Sequence, residues 1–168
     1  MADLTNEINT EGMSENEYMQ FRITKMEALR AKGIPVYPDR YPDARSVGDA
    51  ATQPEGSQNI RTCGRLVSIR KMGKLVFAHL QDISGKLQIA IRPDGVGQDA
   101  FNLFKENIDI GDFLGVEGTM FVTRTGELTI DCSSYAFLGK SLRPLPEKWH
   151  GLTDTETIYR QRYLDLIM

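Results

Sequence analysis

Two short alternating segments carry the side chains with the most chemical reach. Over 75–81, Val76, Ala78 and Leu80 alternate with Leu75, Phe77, His79 and Gln81. Over 86–92, Leu87, Ile89 and Ile91 alternate with Lys86, Gln88, Ala90 and Arg92. Successive side chains of a strand point to opposite faces. If the aliphatic sets face a core, Phe77 stands on a surface otherwise made of Gln, His, Lys and Arg. An aromatic ring among amides and cations is what single-stranded RNA requires: the ring stacks a base, the amide reads a base edge and the cations hold phosphates. The alternative for Phe77 is packing beneath a loop or an appended helix.

The surrounding charge supports a polyanionic ligand. The chain as a whole carries a net −3. Between Arg61 and Arg92, however, it has seven cations (Arg61, Arg65, Arg70, Lys71, Lys74, Lys86, Arg92) and one acid, Asp82. A basic stripe on an acidic whole can steer RNA, although solvated strand charge gives the same count. Arg65, Lys71, Lys74, Lys86, Arg92 and Arg124 are therefore candidates for phosphate contact. Two turns frame the face. Lys71-Met72-Gly73-Lys74 is cationic. Arg124-Thr125-Gly126-Glu127 ends in a carboxylate, which repels phosphate but accepts from a base amino or imino group; Glu127 as an ordinary turn residue is the plainer reading. Alternation from Ile69 puts Arg70 on the outer face, and a bulge at Gly64 would shift the parity along that strand.

The elements that must hold these residues follow from period and punctuation. Residues 1–13 are polar and uncapped, which predicts disorder. Ser14 to Glu17 has the spacing of a capping box and opens a helix with Met19, Ile23, Met26 and Leu29 on one stripe, stopped at Gly33 and Pro35. Residues 34–58, rich in Pro and Gly, read as an extended connector with one short helical turn. Period two then predicts strands over 60–71, 75–81, 86–92, 112–123 and 127–137, with a helix over 98–107 carrying Phe101, Phe104 and Ile108. Three strands, a helix and two strands describe a mainly β, five-stranded oligonucleotide-binding barrel plugged by its helix. The expected organisation is a disordered 1–13, a helix and connector over 14–58, the barrel over 59–138, and a linker and further helix over 139–168. A second capping box, Thr153 to Glu156, opens that helix, which the sequence leaves without a stop signal.

Several functions are excluded. No apolar run approaches the roughly 18–20 residues that span a membrane, and the N-terminus lacks the order of a secretory signal. Cys63 and Cys132 are too far apart for a metal pair and read as buried thiols. His79 and His150 are isolated, so no metal site is expected. Asp94-Gly95-Val96-Gly97 reads as a plain turn and Trp149 as an anchor in a Pro-flanked linker. No catalytic residue is assigned.

Longer motifs carry a resemblance. Leu142-Arg143-Pro144-Leu145-Pro146-Glu147-Lys148-Trp149-His150-Gly151-Leu152 resembles the linker of lysyl-tRNA synthetases. Tyr159-Arg160-Gln161-Arg162-Tyr163-Leu164-Asp165-Leu166-Ile167 resembles the segment that leads into their class II catalytic domain. Leu80-Gln81-Asp82, Lys86-Leu87-Gln88, Thr125-Gly126-Glu127-Leu128 and Gly33-Ile34-Pro35-Val36-Tyr37-Pro38 match the same family. The resemblance covers residues 14–168. It implies a barrel that binds the tRNA anticodon, with Phe77 stacking on the central base, Gln88 and Arg70 beside it, and Glu127 reading an outer base. It also implies a cytoplasmic whole enzyme that charges tRNA with lysine using ATP and magnesium and pairs as a homodimer. The present chain would then be a piece cut before the catalytic motifs, inactive alone, needing no cofactor and able to stay monomeric. An aspartyl- or asparaginyl-tRNA synthetase barrel, or a free-standing single-stranded RNA-binding module, are the alternatives.

Overall fold

A computed structural model of the chain describes residues 14–143. The expected disordered N-terminus, the linker beyond Arg143 and the helix after Thr153 lie outside the described residues. Helix α1 spans Glu15–Ala31 and α2 spans Val47–Ala51. Strands β1 (Ile60–Met72), β2 (Leu75–Asp82) and β3 (Gly85–Ile91) follow, then helices α3 (Pro93–Val96) and α4 (Gln98–Asn107), then strands β4 (Phe113–Val122) and β5 (Leu128–Gly139). The strands close into a barrel in the order β1-β2-β3-β5-β4, the mainly β, oligonucleotide-binding architecture that the alternation predicts. Four neighbour pairs are antiparallel, and the β3–β5 pair that closes the barrel is parallel.

The aliphatic half of each alternation fills the barrel. Val76, Ala78 and Leu80 from β2, Leu87, Ile89 and Ile91 from β3, and Ile130 and Cys132 from β5 are all buried. Phe101, Phe104 and Ile108 recur at helical spacing, so α4 offers one apolar face and plugs the end. The Phe104 ring meets Tyr135 edge to face at 5.6 Å. Two expectations change at the end of β3. The strand stops at Ile91, one residue early, and of Asp94 to Gly97, read as a plain turn, the first three residues lie in α3 and Gly97 follows it. The cause is Pro93, which lacks a ladder donor and whose fixed φ suits the first turn of a helix. Arg92 becomes the residue before that helix.

The predicted capping box is present. Ser14 Oγ accepts from the Glu17 N–H at 3.3 Å, and the Glu17 carboxylate accepts from the Ser14 N–H at 2.8 Å. Helix α1 buries Met26 and Leu29 in the core, with Ile23 packed against it, and is also joined to the barrel by charge. Its buried Arg22 donates to the carbonyls of Ser141 (2.6 Å) and Ile110 (2.8 Å) and approaches Asp112 at 3.6 Å. Beside it, Lys25 pairs with Asp109 at 2.6 Å, and the buried Lys140 reaches Asp109, Asp112 and the Asn107 carbonyl.

Asp82 ties the connector to the sheet. Its carboxylate accepts from the N–H groups of Ser84 (2.7 Å), Gly85 (3.1 Å) and Val47 (2.9 Å), so one side chain shapes the β2–β3 turn and satisfies the start of α2. Burial pushes this carboxyl up. The hydrogen bonds from Ser84, Val47 and Gly85 outweigh that and hold it below the ordinary carboxylate range. A carboxylate lowered on folding stabilises the fold above the unfolded value of 3.8 and loses that contribution as pH falls through the lower folded value. Asp82→Asn should therefore remove part of the acid-linked slope. In denaturant titrations the gap between variant and wild type should close as pH falls below 3.8, and a constant gap would refute the linkage.

Candidate nucleic-acid interface

The outer faces of β1, β2, β3 and β5 form one surface. Cross-strand register sets its rows: Arg70, Phe77, Ala90 and Asp131 lie side by side, and Ser68, His79, Gln88 and Thr129 form the next. The rows stand two residues apart along the strands, about 7 Å. Phe77 is half-buried, with Ala90 as its cross-strand neighbour on β3. The Arg70 guanidinium lies 5.7 Å from the Phe77 ring centroid, within cation–π range.

A bulge puts Arg70 there. Before it, Ile60, Thr62, Gly64 and Leu66 are the buried residues of β1. The register then shifts between Leu66 and Ser68, after which Ile69 turns toward the core and Arg70 away from it. The bulge foreseen at Gly64 is thus absent from that position. Gly64 instead lets two backbones approach, since a Cβ there would lie 2.8 Å from the Gln81 carbonyl oxygen.

Glu127 is placed by its turn. Gly126 adopts φ 85°, a left-handed conformation suited to glycine. The Gly126 N–H bonds the Thr123 carbonyl at 2.8 Å, and the Glu127 N–H bonds Thr123 Oγ1 at 3.1 Å. The Glu127 side chain then folds back over the sheet. One carboxylate oxygen accepts from Gln88 Nε2 at 2.6 Å and the other lies 2.8 Å from His79 Nε2. Thr129 Oγ1 donates to Gln88 Oε1 at 2.8 Å, and Ser68 Oγ lies 2.7 Å from His79 Nδ1. Gln88 lies on the predicted face but is only 4 % exposed, where an open position was expected. Pairing of β3 with β5 brings Thr129 and Glu127 across it, and no strand-by-strand alternation reports that closure.

The cations divide into two groups. Arg70, Lys74, Lys86 and Arg124 are exposed. Lys86 rims a hollow of about 290 Å³ lined by Ala51, His79, Leu87, Gln88, Glu127 and Leu128. Arg65, Lys71 and Arg92 have partners within the protein, Lys71 and Arg92 while remaining exposed. Arg65 lies over Phe113 at 4.2 Å and donates to the Gly111 carbonyl. Lys71 reaches the Lys105 carbonyl of α4 at 3.2 Å. Arg92 pairs with Asp131 through Nε at 3.2 Å and through Nη2. His79, set aside in the sequence as an isolated histidine, and Thr129 and Ser68, given no role there, prove to be partners of the named residues. The signal for them was register: each stands opposite Gln88 or its neighbour on the same face.

A larger hollow of about 770 Å³, between residues 32–41, α4 and the end of β5, contains none of these side chains. Among the described residues no group of three or more His, Cys, Asp or Glu is arranged to hold a metal, and no helix is long and apolar enough to cross a membrane.

The amino-acid sequence is similar to those of known proteins. The family described as OB-fold nucleic acid binding domain matches residues 60–138. The lysine–tRNA ligase of Pelotomaculum thermopropionicum is 46 % identical over 171 residues, covering 99 % of this chain and 33 % of that protein. That of Thermotoga maritima is 43 % identical over 160 residues, 90 % of this chain and 32 % of its own length. That of Aquifex aeolicus is 55 % identical over 108 residues, 64 % of this chain and 18 % of its own. The chain thus spans about one third of the length of the first two relatives. Its barrel and its near full-length match place it with the lysine–tRNA ligases, to whose N-terminal, OB-fold-bearing portion it belongs.

Proposed function

We propose that the β1–β2–β3–β5 face binds the anticodon loop of a lysine-accepting tRNA. Phe77 stacks on the central base. Gln88 and Arg70 address that base, Glu127 accepts from a neighbouring one, and Lys74, Lys86 and Arg124 hold the phosphates. The observation that carries this reading is the half-buried Phe77 ring on the outer face, with a guanidinium beside it and the Gln88 amide one row away. Stacking supplies affinity that tolerates any base, and the amide and carboxylate add base-edge discrimination. In the whole protein this recognition would select the tRNA to be charged with lysine, in the cytoplasm, by a homodimer using ATP and magnesium. No described residue is assigned to hold those two.

The test is binding of lysine-type and aspartate-type anticodon stem-loops side by side, with an unrelated loop as control. The lysine-type loop should bind on the order of tenfold more tightly than the others, since one well-made base-edge contact is worth about 1–3 kcal/mol. Equal affinity for all three would overturn the reading.

A further inference from the structure

Most large apolar side chains lie in the core, and among the described residues six remain exposed. Met72, Ile83 and Val122 stand at three separate hairpins, where a single exposed apolar residue is ordinary. Tyr37, Ile110 and Phe113 gather where the chain leaves β5. A Cβ at Gly139 would meet the Tyr37 ring at 3.5 Å and Phe113 Cβ at 3.8 Å. The Ile110 carbonyl accepts from Arg22, the same guanidinium that holds the Ser141 carbonyl. This exit is pinned. The Tyr37 hydroxyl donates to the Lys140 carbonyl at 3.0 Å, Arg22 to the Ser141 carbonyl at 2.6 Å, and the Ser141 N–H to Asp112 at 2.9 Å. The chain therefore leaves the barrel in one direction, beside exposed aromatic rings. A cation borders them. Arg65 is half-buried, and its partners among the described residues, the Phe113 ring at 4.2 Å and the Gly111 carbonyl at 3.0 Å, are both uncharged.

We propose that the chain's own segment 144–149 folds back over this patch, with Trp149 seated on Tyr37 and Phe113 and Glu147 paired with Arg65. Reach allows it. Trp149 is six residues beyond Arg143, a span of at most about 20 Å, whereas Gly139 is only four residues, at most about 14 Å, before Arg143. Composition fits as well. Pro144 and Pro146 bias the residues before them to extended backbone, and in an extended run residues two apart share a side. Leu145, Glu147 and Trp149 then present two apolar groups with a carboxylate between them. The patch offers the complement, exposed rings beside a guanidinium that lacks a carboxylate. Indole is the side chain best suited to both, since its body is apolar and its face attracts a cation. The docked segment would extend the hold on Lys140 and Ser141 by another eight residues, to Trp149. It would also take Arg65 out of the set of cations open to phosphate.

Trp149 is the only tryptophan, so tryptophan fluorescence of the whole chain reports this contact alone. In wild type the emission should lie to the blue of that from a free peptide of residues 144–152, and acrylamide should quench it severalfold less. Phe113→Ser and Tyr37→Ser should each move the emission to the red and raise quenching severalfold. Ile83→Ser, which removes an exposed apolar side chain from the β2–β3 turn, should change neither. A substitution in the barrel can also disturb folding, so Glu147→Lys approaches the contact from the segment. It sets a second cation against Arg65 and should raise quenching while the thermal midpoint of the barrel stays in place. Wild-type emission and quenching equal to those of the free peptide would overturn the proposal. So would protection that survives Phe113→Ser, Tyr37→Ser and Glu147→Lys alike, since Trp149 would then be buried elsewhere. Protection that disappears on dilution would also overturn it, because a second copy of the chain would be the occupant. None of these readouts involves RNA, so their outcome is independent of the anticodon-loop reading.

Discussion

Replacing Lys140 by alanine should lower folding stability by about 3–5 kcal/mol, the cost of leaving buried charge without its partner. The Lys140 and Asp112 side chains are both fully buried, 2.7 Å apart. The same ammonium bonds the Asn107 carbonyl and the Asp109 carboxylate. The two acids respond differently to this shared cation. Burial pushes Asp109 up, but Lys140 and Lys25 outweigh it and hold the carboxyl below the usual range. Asp112 has no second lysine; burial prevails over Lys140 and its backbone donors and pushes the carboxyl up. Removing Lys140 leaves Asp112 with the N–H groups of Asp109 and Ser141 and with Arg22 at 3.6 Å. A carboxyl raised on folding weakens the fold where it is charged and ceases to do so as pH falls through its folded value. The alanine variant's deficit should therefore shrink on acidification. Lys140→Met separates charge from packing by keeping the alkyl stem: a loss close to that of alanine marks the ion pair as the cause. Urea unfolding at neutral and acidic pH reads both, and an alanine variant within about 1 kcal/mol of wild type would refute the argument.

Phe77→Ala should weaken binding of the lysine-type stem-loop by about 1–3 kcal/mol, the usual cost of losing a base-on-aromatic stack. The ring is half-buried and stands outside the barrel core, so folding should change far less than binding. Phe77→Leu keeps apolar volume without a π-face and should recover stability but little affinity. Because Arg70 stands 5.7 Å from the ring, Arg70→Met should lose part of the same affinity, and the two losses should not add, as expected for neighbours sharing one ligand. Fluorescence anisotropy with a labelled stem-loop measures each. Unchanged affinity in Phe77→Ala would remove stacking from the mechanism.

Much of the barrel was legible because strand parity is a local property. The alternation of Val76, Ala78 and Leu80 with Phe77 and His79 needs only the two-residue period, and the order of strands and helix followed from the turns. Properties created by closure were not legible. Gln88 lies on the predicted face, but β5 and its preceding turn bury it. Arg65, Lys71 and Arg92 count as cations in the sequence, whereas their partners Phe113, Lys105 and Asp131 lie 34 to 48 residues away. The bulge between Leu66 and Ser68 has no glycine to announce it, while Gly64, which invited a bulge, serves a close backbone approach. The linker and terminal motifs pointed to the ligase family because they are long and compositionally unusual, a kind of information that strand parity does not contain.

The parallel pairing of β3 with β5 is the shortest ladder in the barrel, running only from Gln88–Thr129 to Ala90–Asp131. Short ladders open first in the local fluctuations that expose amides to exchange with solvent. Gln88 and Thr129 stand at one end of this ladder, joined by a side-chain bond as well as by register. A ligand gripping Gln88 and Glu127 would hold both sides of the barrel's least secured edge, so occupancy would slow its breathing as well as fill its surface. Recognition and closure would then draw on the same few bonds, and a substitution that loosens one should be felt in the other.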